Sequence, residues 1–152
     1  MPAPRFVHLR LHSEYSVTDG IVRLDQAVER AAHDGMPALA LTDLANLFGL
    51  VKFYSASRAA GVKPLIGADC WVQNAPDRDK PVRLLLLCTS RGGYLRLCEL
   101  LSRAWLRNQY RGRAEISRAW LEEAGTEGLI ALSGAASGDI GQALLLRGAG
   151  IG

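Results

Sequence analysis

Between His8 and Gly20 the chain reads HLRLHSEYSVTDG, a stretch that gathers two histidines, two carboxylates, a tyrosine and several hydroxyls around one arginine. Imidazole and carboxylate are the usual ligands of zinc and related ions, so the chemistry on offer is that of a metal site. Spacing tests the idea. On a strand, residues i and i+2 share a face about 6.6 Å apart and residues i and i+4 about 13 Å apart, whereas two ligands of one ion approach within about 4 Å. A strand running through both His8 and His12 therefore keeps them from sharing an ion, and the useful pair is positions 10 and 12. Position 10 is Arg10, which has no lone pair to give and carries a permanent positive charge. The carboxylates Asp19, Asp43 and Asp69 fall at strand ends or turns, and acidic groups placed together need a countercharge that an arginine can supply. Spacing alone favours His12 as a hydrogen-bonded strand-end histidine, with Arg10 an ordinary surface arginine, over a working metal site.

A second stretch, SRAWLRNQYRGRAEISRAW, interleaves Arg103, Arg107, Arg111, Arg113 and Arg118 with Trp105, Tyr110 and Trp120. Such a mixture suits phosphate contact and base stacking. Trp105 also fits the apolar face of a helix and the arginines its solvated face, which explains much of the pattern without a ligand. A contact with a partner subunit or another domain is the better functional reading. SGAASGDIG is glycine-rich but lacks the Gly-Lys-Ser/Thr ending of a phosphate loop. Ser13, Ser16 and Ser133 show neither a histidine–carboxylate arrangement nor a Gly-x-Ser-x-Gly elbow, and turn and capping roles are assigned to them.

The elements that must position these residues alternate between apolar β-rich runs and amphipathic helical runs. RFVHLRL reads as a strand; LDQAVERAAHDG places Leu24, Ala27, Val28 and Ala31 on one helical face and stops at Gly35; MPALALTD is a short buried strand ending in Asp43. NLFGLVKFYSASRAAG and KPLIGADCWV repeat the order of helix, glycine, proline, apolar strand and acidic residue. VRLLLLCTS is continuously apolar, as strands covered on both faces are. A long helix from about Gly93 to Asn108 is expected to turn Tyr94, Leu97, Cys98, Leu101 and Trp105 inward and Arg96, Arg103 and Arg107 outward. An arginine-rich link, a short helix in SRAWLEEAG, a strand in GLIALSG and a last helix in SGDIGQALLLRG complete the chain, the last capped by Ser137 or Asp139. Alternating strands and helices predict an α/β fold with a parallel sheet, open or closed into a barrel. Its chemistry belongs at the C-terminal strand ends.

With 152 residues, 49% hydrophobic and 22% charged, the chain has the composition of one folded globular domain rather than of a disordered segment. Its most apolar run is too short for a bilayer, and MPAPRF lacks the plan of a signal peptide. A cytoplasmic protein without membrane contact is expected. Cys70, Cys88 and Cys98 lie in or beside apolar runs without a C-x-x-C pair and read as reduced core residues. A net charge of +3 permits a nucleic-acid partner without specifying one.

FVHLRLHSEYSVTDG, ALALTDLANLFGLVKFY, KPLIGAD and GLIALSG, in this order and spacing, resemble the PHP (polymerase and histidinol phosphatase) domain of bacterial DNA polymerase III alpha subunits over nearly the whole chain. The resemblance implies a distorted (β/α)7 TIM-like barrel of parallel strands with surrounding helices. Barrels of this kind take about 250 residues, so residues 1–152 are expected to form an incomplete barrel, the N-terminal portion of a PHP domain, with the polymerase domains absent.

Members of the family with an intact site carry a cluster of metal ligands that supports phosphoester hydrolysis, including proofreading exonuclease activity. Matched one residue at a time, the family's His-x-His is here Arg10-Leu11-His12, and its Thr-Asp-His is Thr42-Asp43-Leu44. A glutamate becomes Asp69, a histidine becomes Arg83, and a cysteine becomes Ala135, while Asp19 is retained. The resemblance thus implies a vestigial site of Arg10, His12, Asp19, Asp43, Leu44, Asp69, Arg83 and Ala135, with no catalytic residue and no metal or other cofactor expected in this portion. Arg10, aided by Arg83, is expected to substitute for the metal by pairing with Asp19, Asp43 or Asp69. For the whole protein the resemblance implies DNA replication and DNA-directed DNA polymerase (nucleotidyltransferase) activity, with Mg2+ in the polymerase domain. The implied partners are the remaining polymerase domains, a proofreading exonuclease (epsilon) subunit, and DNA through the holoenzyme. The portion itself is then a structural and interaction module. The alternative is a metal-dependent phosphoesterase or 3′–5′ exonuclease acting through His12, Asp19 and Asp69.

Overall fold

The computed structural model describes residues 6–123 and 125–147. It divides into two compact units, with the boundary between Ala68 and Asp69.

In the first unit, helical spacing brings Leu24, Val28 and Ala31 to the inner side of α1 (Leu24–His33). Asp25 in its first turn and Arg30 and His33 in its last complement the helix dipole. β1 (Ala38–Leu41) is buried at every residue, and α1 and α2 (Leu50–Ala59) both pack against it. β1 pairs in parallel with the start of β2 (Lys63–Val72), Ala38 opposite Lys63 and Leu41 opposite Ile66. Leu24, Val28, Leu39, Leu41, Phe53 and Val62 form the core, with Leu11, Tyr15 and Met36 packed on it.

The opening strand expected over RFVHLRL does not form as a regular element. Among the described residues it makes one parallel bridge, His8 to Leu39. Beyond it, Ala40 N–H donates to the His8 carbonyl and Thr42 N–H to the Leu11 carbonyl. Between these two bonds the opening segment advances three residues and β1 only two, an extra residue that breaks a ladder as a bulge does. The alternation of faces therefore fails here: His8, Leu9 and Arg10 are all exposed.

In the second unit the strands run in the order β4 (Gln109–Tyr110), β5 (Arg113–Ile116), β2, β3 (Val82–Cys88), β6 (Leu129–Ser133). β5 is parallel to β2, Trp71 opposite Glu115 and Val72 opposite Ile116. β6 is antiparallel to β3, Leu84 opposite Ser133 and Cys88 opposite Leu129, so the sheet is mixed rather than parallel throughout. The connection from β3 to β6 is not a simple crossover. It contains α3 (Arg91–Arg107), a hairpin and α4 (Arg118–Glu123). The hairpin occupies the stretch read as an arginine-rich link. Its two loop residues, Arg111 and Gly112, have φ of 49° and 77°, the positive values that a tight type I′ hairpin turn requires. A 3-10 turn (Ala135–Ser137) and α5 (Asp139–Arg147) follow β6. Asp139 Oδ1 accepts from Ile140 N–H at the start of α5.

α3 is rotated relative to its expected face. Ser90 caps it by accepting from Gly93 N–H, and the buried side holds Gly93, Arg96, Leu97, Leu100, Leu101 and Ala104. Gly93 sets this rotation, because a Cβ there would lie 1.8 Å from the Gly128 carbonyl oxygen. Trp105 is left 39% exposed. Arg96 goes inward, donating to Glu99 Oε2 and to the Trp120 carbonyl. Cys70 is buried and Cys88 and Cys98 are half-buried; burial pushes the Cys88 thiol up to about 11. Among the described residues no helix is long and apolar enough to cross a membrane.

Phe53 is fully enclosed, whereas Leu106 is 81% exposed. Phe53→Ala is expected to lower unfolding free energy by about 3–5 kcal/mol and Leu106→Ala by less than about 0.5 kcal/mol, as read from urea unfolding of the two variants.

Candidate functional site

In the first unit the turn after the opening segment holds two carboxylates in different ways. Asp43, just past β1, is 1% exposed. Its Oδ1 accepts from Ser13 N–H at 2.6 Å and its Oδ2 from the Ser13 hydroxyl at 2.9 Å. Burial raises its pKa, against the opposing pull of these two bonds and of His12; Asp19 adds a smaller push upward. Asp19 lies opposite His12, Oδ2 to Nδ1 at 2.9 Å, and its Oδ1 accepts from the Ser16 hydroxyl at 2.7 Å. Ser16 Oγ also accepts from Leu44 N–H, so one hydroxyl ties Asp19 to the segment after β1. Asn46 completes the lock, donating to the carbonyls of Tyr15 and Leu44. Thr42 binds Leu11 through both backbone and side chain. His8, excluded as a co-ligand by spacing, lies edge-on to Phe6 with ring centroids 4.6 Å apart.

In the second unit Asp69, on β2, is 2% exposed and Arg83, on β3, 8% exposed. The guanidinium is bidentate: Nε donates to Asp69 Oδ1 at 3.2 Å and Nη2 to Oδ2 at 3.1 Å. Paired charge-assisted bonds of this kind are the stronger class of hydrogen bond. The carbon centre of Arg83 lies 4.2 Å from the Trp71 ring centroid, a cation–π contact of about 0.5–2 kcal/mol. A second buried carboxylate, Glu115, is fully enclosed. It accepts from Arg78 Nε at 3.0 Å and from Arg113 Nε at 3.2 Å. Ala135, at the end of the β6 turn, is exposed and holds a φ of 48°.

Arg83, which the sequence made an auxiliary to Arg10, donates to both oxygens of Asp69, and Asp43 accepts from the Ser13 amide and hydroxyl. A divalent cation ligating Asp69 would have to sit beside a buried guanidinium that already bonds both of its oxygens. Among the described residues no group of three or more His, Cys, Asp or Glu side chains is placed to hold a metal ion. Arg10, Leu44, Arg83 and Ala135 offer a cation no lone pair from their side chains, so these residues do not fit the metal cluster that intact members of the family carry. Sequence reasoning gave Ser13 and Ser16 turn and capping roles without their bonds to Asp43 and Asp19, and it missed Asn46, Trp71 and Glu115, the last two having partners, Arg83 and Arg78, that lie on other elements or loops.

Four of the five arginines in the arginine-rich stretch pair with acids. Arg103 pairs with Glu123 and covers the Trp120 ring at 4.4 Å, Arg111 pairs with Asp79, Arg113 with Glu115 and Arg118 with Asp139. Arg107 lies with Glu99, Ser102 and Leu106 along a shallow groove of α3.

A βα-built first unit, a mixed sheet in the second, and carboxylates at strand ends answered by serine, histidine and arginine agree with one family. The PHP domain family model matches residues 8–150, and the chain belongs to that family. Its relatives include the DNA polymerase III alpha subunits of Vibrio cholerae, 48% identical over 145 residues, and of Neisseria meningitidis, 47% identical over 148 residues. These matches take in 95% of this chain but 12% and 13% of those proteins; the chain is thus closely similar to the PHP region of alpha subunits and spans a small part of their length. An amidohydrolase structure from Chromobacterium violaceum shares the fold with a TM-score of 0.51 and 24% identity, covering 64% of this chain and 32% of that one.

The raised pKa of Asp43 has a definite sign. Its folded value lies above its unfolded value, so the native state holds the proton more tightly; the stability this contributes is full below the unfolded value and is lost as pH rises through the folded value. Paired urea titrations of wild type and Asp43→Asn should therefore show the difference shifting in favour of the wild type as pH falls from 7 toward 4. A difference moving the other way contradicts the assignment.

Proposed function

We propose that the chain is the PHP-domain portion of a bacterial replicative DNA polymerase III alpha subunit, a cytoplasmic protein, and serves there as a structural and interaction module that has given up its metal site. The observation that carries this reading is the bidentate Arg83–Asp69 pair. It supplies the buried carboxylate with a permanent, covalently attached countercharge at a position where the family's motif has a histidine ligand. The loss of donors at positions 10, 44 and 135 points the same way. DNA-directed DNA polymerisation, with its Mg2+ ions, then belongs to other domains of the whole protein, and this portion docks those domains and a proofreading exonuclease (epsilon) subunit. Engagement of DNA through the holoenzyme fits the internal pairing of Arg103, Arg111, Arg113 and Arg118, which leaves them poorly placed for a DNA groove of their own.

Elemental analysis of the purified 152-residue chain, prepared without chelators, should find zinc and manganese far below one ion per chain. Manganese-dependent phosphoester hydrolysis should be indistinguishable between wild type and Asp69→Ala. Near-stoichiometric metal, or hydrolysis that disappears in the variant, overturns the reading in favour of a phosphoesterase or exonuclease.

A further inference from the structure

We infer that Trp71 is a positioning residue for Arg83, and that the β4–β5 hairpin anchors the stack that keeps the Arg83 guanidinium on Asp69. The inference deepens the proposed loss of the metal site and rests on that reading for its functional meaning.

Asp69 and Trp71 are two residues apart on β2 and so project from the same face of the strand. Arg83 reaches both from β3. The edge of its guanidinium meets the carboxylate at 3.2 and 3.1 Å, and its carbon centre lies 4.2 Å from the indole centroid. Two bonds in the guanidinium plane fix its edge on the carboxylate, and a ring against its face adds a constraint perpendicular to that plane. Arg113, 5.8 Å from the same indole centroid, continues the series on β5, where Trp71 is the register partner of Glu115.

Arg113 is itself fixed. It donates to the enclosed Glu115 and to the Arg78 carbonyl, and Glu115 also holds Arg78. Tyr110 closes the series, with Arg78 at 4.7 Å, Arg111 at 5.5 Å and Arg113 at 5.6 Å from its ring. Of the residues that looked from sequence like a nucleic-acid strip, Tyr110, Arg111 and Arg113 thus form a series that leads from the hairpin turn through Trp71 and Arg83 to the carboxylate on β2. A lysine at position 83 would keep the charge but has no plane to stack or to chelate both oxygens. Trp71 in this arrangement decides whether Asp69 faces a guanidinium or is left open to a cation.

The test follows the Arg83 side-chain resonances by NMR in the full chain. In the wild type the Arg83 Nε–H should exchange slowly with water, and the side-chain protons should be displaced by the indole ring current. Trp71→Phe keeps a ring and should keep slow exchange. Trp71→Leu should speed exchange by at least about tenfold while its backbone spectrum stays native. Unchanged exchange in a folded Trp71→Leu overturns the inference. If that variant does not fold, the wild type still decides: Arg83 side-chain protons at ordinary positions mean that there is no stack, and the inference falls. Metal found in a wild type whose Arg83 signals still show the stack sinks the proposed function and leaves this inference standing, so the two failures are told apart.

Discussion

A carboxylate taken out of water must be neutralised, charge-paired or bonded on both oxygens, and the second unit is arranged around how that demand is met at Asp69. Its answer is Arg83, a permanent cation on the neighbouring strand whose fork matches both oxygens. The three buried acids among the described residues show three solutions to the same problem. Asp43 has hydroxyl and amide donors but no bonded cation, and its pKa rises. Asp69 has the bidentate Arg83. Glu115 has Arg78 and Arg113 together.

A metal centre and an arginine pair answer the same electrostatic demand with different consequences. A metal presents open coordination positions, polarises phosphoryl oxygens and activates water. A guanidinium only donates hydrogen bonds, and it does not leave when conditions change. Replacing one with the other retains the packing of buried acids and removes the chemistry. A buried ion pair is weak evidence of net stability, because desolvation offsets much of the attraction. What it enforces is mutual dependence: once Asp69 is buried, Arg83 must be there.

Much of this was legible in the sequence where one periodicity governed a segment. The strand over KPLIGADCWV begins and ends where β2 does, since apolar alternation and flanking turn residues agree there. The opening segment failed because a single extra residue, invisible to a count of alternating faces, breaks its ladder on β1. The β4–β5 hairpin was hidden by charge. Arg111-Gly112 is an unusual pair for its turn, and arginines on a short strand read as a solvated link. α3 turned by about one residue because Gly93 must approach the Gly128 carbonyl, a contact between elements far apart in the chain. At the site, the family resemblance implied an arginine in place of a metal ligand at positions 10 and 83. Which arginine meets which acid depended on β2 and β3 being neighbours, and no local pattern encodes that.

The most direct measurement is a double-mutant cycle on Asp69→Asn and Arg83→Met, followed by urea unfolding of all four proteins. Each single variant leaves one buried charged or polar partner unanswered and should lose about 3–5 kcal/mol. The double variant should lose less than the sum of the singles by about 2 kcal/mol or more, beyond the 0.3–0.5 kcal/mol scatter of about that size expected for independent sites. Losses that simply add would mean that Asp69 and Arg83 do not answer each other, and the account built on their pairing would be wrong.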